Sequence, residues 1–349
     1  MRYKERADRQ IRELRKKENV RILAIETSCD ETAAAVVENG RRVLSNTLFT
    51  QIAIHAEYGG VVPEIASRNH LEKLPYIVDQ ALREAGCTFR EIDALAVTQG
   101  PGLVGALLNG VSYAKALAFS LDKPLIAVNH MEGHISANYI TYPELEPPFL
   151  CLVVSGGHTN IVKVEDYGRY VPLGATRDDA AGEAFDKVAR ILGLPYPGGP
   201  HLQKLAEQGN PDAYHFPKSF RGEHHLDFSF SGLKTAVINL VHRMEQRGES
   251  FNPADVAASF QKTVVRTLME NTFEAARREH IKRIALAGGV SANAALREEA
   301  ARGGFALYLP KLCYCTDNAA MIGSAAYYRM LQSPAAQLSL NADPSLPLL

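Results

Sequence analysis

The chain has 349 residues, 46% of them hydrophobic and 22% charged, an ordinary globular composition with length enough for two lobes that each bury a core. Its formal net charge of −1 excludes a global basic field for holding nucleic acid, so an RNA contact needs a local patch or a partner's charges. The five scattered cysteines, Cys29, Cys87, Cys151, Cys313 and Cys315, form no CxxC pair and argue against a disulfide framework or a Cys-type zinc site. No apolar run reaches the roughly 18 residues of a membrane span, which points to a cytoplasmic protein with no membrane partner.

Residues 1–20 are strongly charged and lack the apolar core of a secretory signal, so they are expected as a solvated helix or a disordered basic arm. RILAIETSCD then reads as a buried strand ending in a polar turn, TAAAVVENG as a second strand and RRVLSNTLF as a third, with Asn39-Gly40 as the hairpin turn between the last two. Helical spacing of Leu71, Leu74, Ile77, Val78, Ala81 and Leu82 predicts a helix over about 62–85, kinked or split at Pro75. The strand ALAVTQG, a helix over about 103–121 and the strand at 124–128 complete a first α/β lobe, residues 21–129. A helix at about 318–332 is expected to finish it.

FLCLVVSGGHTNIVKVEDYGRYVPLG repeats the order strand, turn, strand, turn, strand and opens a second α/β lobe with insertions, residues 130–317. Tandem β-β-β-α units predict two similar lobes with polar turns facing an interlobe cleft. The aromatic segment 211–230 is long for a plain connection and is expected as a functional insertion. The tail, residues 333–349, is expected to be poorly ordered.

Four glycine-rich turns follow apolar strands: Gly100–Gly102, Ser155–His158, Pro197–Gly199 and Gly288–Asn293. Glycine admits a ligand close to the backbone, whose N–H groups bind phosphate or sugar oxygens, although tight strand–helix turns also use glycine for purely structural reasons. No GxxxxGK[ST] run is present, which excludes a P-loop. In His130-Met-Glu-Gly-His134 the histidines stand at i and i+4, one face of a helix, where two imidazoles can share a metal. Glu132 is not placed as in HExxH. Asp317 is either a third ligand or the N-cap of the last helix. Asp30 and Glu31 occupy the first turn. Asp178, Asp179, Glu183 and Asp186 are either first-turn acids favoured by the helix dipole or ligand contacts.

The blocks ETSCDET, HAEYGGVVPEIASRNH, TQGPGLVGALLNG, NHMEGH, VSGGHT, DDAAGEAFDK, YPGGP, FSFSGLKTA, GGVSAN and TDNAAM resemble those of the universal threonylcarbamoyl-adenosine tRNA modification family, bacterial branch, over nearly the whole chain. The resemblance implies an α/β, two-lobed actin-like or Hsp70-like ATPase fold. It implies transfer of threonylcarbamoyl from threonylcarbamoyl-AMP to N6 of an adenosine beside the tRNA anticodon. It further implies one divalent metal, iron or zinc, on His130, His134 and Asp317. The adenylate would be held by Val153, Val154, Ser155, Gly156, Gly157, Asp186, Gly199 and Asn293. Asp30 or Glu31 would take the N6 proton or position the acceptor. A shortened paralogue and a small P-loop ATPase would be the partners. Three other readings stay open: a metalloprotease, an actin-like sugar or acetate kinase, and a non-catalytic nucleotide-binding scaffold.

Overall fold

The computed structural model describes residues 3–218 and 225–348. In chain order its elements are α1 (Tyr3–Leu14), β1 (Arg21–Glu26), β2 (Glu31–Glu38), β3 (Arg42–Thr50), α2 (Ile52–Ala56), α3 (Pro63–Glu84), β4 (Ala94–Gly100), α4 (Val104–Ser120), β5 (Leu125–Asn129) and α5 (His130–Thr141). Then follow β6 (Phe149–Val154), β7 (Thr159–Asp166), β8 (Arg169–Ala175), α6 (Ala181–Ile191), α7 (Gly198–Ala206), α8 (Ser231–Gln246), α9 (Pro253–Arg278), β9 (Arg283–Ala287), α10 (Ala294–Ala301), β10 (Ala306–Tyr308) and α11 (Ala319–Gln332). The chain divides into two compact units. One comprises residues 1–147, 166–169 and 316–349, the other residues 148–165 and 170–315.

The first unit carries a five-stranded sheet in the order β3-β2-β1-β4-β5. β1 runs antiparallel to β2 and parallel to β4, and β4 is parallel to β5. Asn39 (φ 52°) and Gly40 (φ 69°) form the β2–β3 turn in the left-handed region such a hairpin demands. The second unit's sheet runs β8-β7-β6-β9-β10, with β6 antiparallel to β7 and parallel to β9. Both units therefore share one strand order, three leading strands followed by two that join in parallel, as the tandem reading expected.

Four expectations need correction. First, α5 belongs to the first unit, so the boundary falls after Pro147 and not at residue 130. Residues His130–Tyr139 are all buried, and the small residues Gly133 and Ser136 let α11 approach closely: Ser324 Oγ donates to Ser136 O at 3.2 Å. Second, α1 is neither a solvated nor a disordered arm. Tyr3, Ala7 and Ile11, one stripe at spacing four, are buried, and Tyr3 Oη donates to Lys123 O at 2.9 Å.

Third, residues 333–348 are bonded to the first unit. Ala336 N donates to Leu125 O at 2.7 Å, Asp343 N to Gln99 O at 2.9 Å, and Asn129 Nδ2 to Pro347 O at 2.9 Å. Fourth, α3 is not split at Pro75, and Leu71, placed on the apolar face by its spacing, is 70% exposed.

The second unit's core explains much of the aromatic segment. Phe228 and Phe230 are buried beside Phe185 and Phe260, and Phe228 bonds to Ala175 and Arg177 through its backbone. Of that segment, Phe228 and Phe230 thus belong to the core. Residues 219–224 lie outside the described ones.

Candidate metal centre and ligand loops

β5 delivers the chain directly into α5. Asn129 caps that helix, its Oδ1 accepting from Met131 N at 2.8 Å, and this starts the helical turn at His130. One turn later His134 lies on the same face, the two rings 4.6 Å apart and nearly perpendicular (82°). Asp317 comes from the turn before α11. Asn318, not Asp317, is the N-cap: its Oδ1 accepts from Met321 N at 3.0 Å. Asp317 is left to face the histidines, with Oδ1 3.3 Å from His130 Nε2 and 3.2 Å from His134 Nε2.

Among the described residues, His130, His134 and Asp317 offer one ligand atom each, all within 4.8 Å of one another. The Nδ1 of the buried His134 lacks a hydrogen-bond partner. Two imidazoles, one carboxylate and an orphaned ring nitrogen form a donor set that fits a divalent cation with open coordination positions.

The electrostatics agree with a cation-accepting site. Burial opposes ionisation of Asp317, but the His130 charge and hydrogen bonds from both rings hold its carboxyl well below the usual range. Burial alone would lower His130, yet Asp317 and Glu26 raise it well above an ordinary imidazole. His134 goes down, chiefly by burial.

Asp30 lies buried in the β1–β2 turn, and Glu31 opens β2, 3.3 Å from Thr50 Oγ1. Burial, then the negative charges of Asp317 and Asp30, push the Glu31 carboxyl up to about 10. His70 supports this turn from α3: its Nε2 is 2.8 Å from Cys29 O and its Nδ1 2.8 Å from Thr32 Oγ1. Glu26 and Ser28 also lie against His130 Nδ1, and Thr98 donates to Glu26; sequence reasoning missed all three. The available signal was a carboxylate directly following the apolar run Ile22-Leu23-Ala24-Ile25. Glu132, by contrast, pairs with Arg329 at 3.2 Å and takes no part in the cluster. That geometry does not favour the metalloprotease.

The residues expected to hold the adenylate all lie in the second unit. Val153 and Val154 are buried in β6. Ser155 closes a tight turn, its amide donating to His158 O at 2.8 Å and its carbonyl accepting from Gly182 N at 3.2 Å. Gly156, Gly157 and Gly199 stand at open positions, where an added Cβ would meet nothing within 4 Å. Asp186 Oδ1 accepts from Gly198 N at 2.8 Å and Gly199 N at 3.1 Å, which ties the PGG turn to α6. Burial raises its pKa despite those two donors.

Asn293 caps α10 through Leu296 N at 3.0 Å and donates to Gln261 Oε1 at 2.8 Å, leaving one amide N–H uncommitted. The remaining acids serve the fold. Asp179 bridges Lys187 and Lys234, Glu183 pairs with Lys187, and Asp178 accepts from Phe230 N at the start of α8.

Among the described residues no helix is long and apolar enough to cross a membrane. Solved structures similar to this chain include the hydroxyglutaryl-CoA dehydratase component A of Acidaminococcus fermentans (TM-score 0.52, 14% identity, covering 90% of this chain and 100% of that one). HypF of T. kodakarensis is another (0.60, 16%, 90% and 47%). These likenesses carry the fold alone, and it is the actin-like ATPase fold. A curated relative from Clostridium perfringens strain SM101, named tRNA N6-adenosine threonylcarbamoyltransferase, is 60% identical over 331 residues, 94% of this chain and 98% of its own. One of the same name from Clostridium botulinum strain 657 is 57% identical over 336 residues, 95% and 99%. The family model for tRNA N6-adenosine threonylcarbamoyltransferase matches residues 42–324. With that match and relatives of such identity over nearly full length, this chain belongs to the tRNA N6-adenosine threonylcarbamoyltransferase family.

Proposed function

We propose that this transferase moves the threonylcarbamoyl group of threonylcarbamoyl-AMP onto N6 of an adenosine beside the anticodon of tRNA. The observation that carries the reading is the cluster of buried His130 and His134 with half-buried Asp317 in a chain of this family. Those three residues would hold the divalent ion, iron or zinc. A bound metal would supply Lewis-acid polarisation and a template for substrate oxygens.

The adenylate would lie along Val153–Gly157, Asp186, Gly199 and Asn293. The open Cβ positions at Gly156, Gly157 and Gly199 support this, because they let a ligand approach the backbone closely. An exocyclic adenine amine is a weak nucleophile, so the chain's work is to hold it close and accept its proton. Asp30 suits that acceptor role better than Glu31. Burial and the charges of Asp317 and Asp30 raise the Glu31 carboxyl, which suits it to positioning by hydrogen bonds.

A partner subunit, the shortened paralogue, would cover the exposed apolar residues Leu71 and Tyr76 of α3 and Val104 of α4, with the small P-loop ATPase joining the assembly. Incubation with tRNA and pre-formed threonylcarbamoyl-AMP, followed by nucleoside analysis, tests the reading. Formation of N6-threonylcarbamoyladenosine is expected. Its absence with the partners present, while glycoprotein cleavage or substrate-dependent ATP consumption appears, would replace this reading by the protease or the kinase.

A further inference from the structure

The side of His130 turned away from Asp317 is as highly organised as the side that faces it. His130 Nδ1 lies 3.1 Å from Glu26 Oε2, and Glu26 is fully buried at the end of β1. Nothing about the fold requires a carboxylate there, since residues 22–25 of β1 are apolar and buried and the strand sits in the middle of its sheet. A charge in such a place is costly unless donors surround it. Glu26 has three. Its Oε1 accepts from the Ser28 amide, and its Oε2 accepts from Thr98 Oγ1 at 2.6 Å and from the His130 ring.

We propose that Glu26 is a positioning residue that holds the Nδ1 proton of His130 and so directs the Nε2 lone pair to the metal. An amide can only donate, so the Ser28 N–H identifies Glu26 as an acceptor. The hydroxyl of Thr98, supplied by the neighbouring parallel strand β4, fills a second site on the carboxylate. The proton on the line from Glu26 to His130 therefore belongs to the imidazole. With Nδ1 protonated, Nε2 is the only nitrogen of the ring that can ligate, and it is the one that stands 3.3 Å from Asp317 Oδ1. Ser28 Oγ, also 3.1 Å from Nδ1, is the weaker competitor because it is neutral. His134 has no such support, since its Nδ1 is without a hydrogen-bond partner. Orientation of the pair consequently rests on one histidine. A carboxylate behind a ligating imidazole fixes its tautomer and raises its basicity, and removing one costs about 10–100-fold in metal affinity.

The proposal rests on the metal-site reading, and its test separates the two. Full-length protein is freed of metal, checked for folding by thermal melting, and titrated with Co2+ followed by absorbance. Glu26→Gln should bind about 10–100-fold more weakly than wild type. Glu26→Asp, which keeps the charge, should recover part of that loss. Thr98→Val should fall between wild type and Glu26→Gln, and Ser28→Ala should stay near wild type. In zinc-loaded protein labelled with 15N-histidine, the His130 Nδ1 proton should persist as a slowly exchanging resonance in wild type and exchange rapidly in Glu26→Gln.

A folded Glu26→Gln that binds Co2+ like wild type, while His134→Ala binds none, would overturn this proposal alone. Undiminished binding by His134→Ala would remove the metal reading and this proposal with it. If neither Glu26 variant folds, the wild-type resonance decides: a zinc-loaded His130 without an Nδ1 proton overturns the proposal.

Discussion

Asp317 Oδ1 stands 3.2 Å from His134 Nε2, a partner remote in sequence, because the adjacent Asn318 has taken over the capping of α11. The division of labour has an energetic logic. A cap contributes about 1 kcal/mol and can be made by any short polar side chain, whereas a ligand set needs a carboxylate at one particular place. The His134→Ala variant should lose nearly all of the one metal equivalent expected per chain, as read by elemental analysis after dialysis. Equal metal in both proteins would refute the assignment.

Gly157 and Gly288 offer a matched pair. A Cβ at Gly157 meets nothing within 4 Å, so Gly157→Val should melt within a few degrees of wild type and still lose at least about tenfold in threonylcarbamoyl-AMP affinity by calorimetry. Gly288, at φ 85° against the Val154 carbonyl, has no room for a side chain, and Gly288→Val should fail to fold stably. Tight adenylate binding by a folded Gly157→Val would place the ligand elsewhere.

Ile11 is buried on the stripe that docks α1. Ile11→Ala should destabilise the protein by about 2–5 kcal/mol in urea unfolding. A change under about 0.5 kcal/mol, the range of ordinary surface substitutions, would mean that α1 does not dock in solution.

His70 gives a pH prediction. Burial lowers its pKa below 6.5, outweighing the hydrogen bond to Cys29 O that raises it, and Nδ1 lies 2.8 Å from Thr32 Oγ1. The unfolded chain takes up the proton near pH 6.5 while the folded one does so only at lower pH. The contribution of His70 to stability is therefore full above about 6.5 and declines as pH falls from there toward the folded-state value. His70→Gln should cost about 1–3 kcal/mol at neutral pH. The gap between wild type and variant should narrow between about pH 7 and pH 5.5. A gap that widens on acidification would contradict a neutral, buried His70.

Leu71 and Tyr76 are 70% and 75% exposed on α3, and the net charge of −1 gives little hold on a polyanion. Leu71→Glu should leave stability within about 0.5 kcal/mol of wild type and weaken the association with the paralogue subunit at least about tenfold in sedimentation. The isolated chain should bind tRNA weakly, with an affinity that falls steeply with salt. Full multiple-turnover transfer by the chain alone from pre-formed threonylcarbamoyl-AMP would rule out the partner requirement.

What the sequence by itself determined is what depends on local spacing. Alternating and continuous apolar runs marked the leading strands of both units, Asn39-Gly40 marked its hairpin, and the interval from His130 to His134 put two imidazoles on one helical face before any fold was known. The motif blocks added the family. Roles decided by distant parts of the chain were not legible. In sequence Asp317 reads as a ligand or as a cap, and only the fold shows that Asn318 caps α11 while Asp317 faces the two imidazoles. Glu26 looked like the polar end of a strand because its three donors come from Ser28, Thr98 and His130, on different segments of the first unit. The charged first residues concealed a three-residue apolar stripe too sparse to signal burial, yet α1 has the end of α4 and the chain after α11 to dock on. Helix α5 begins the stretch that leads to the second sheet, but its contacts with α11 assign it to the first unit. In each case the deciding term is a non-local contact, and periodicity along the chain carries no record of which distant group will supply it.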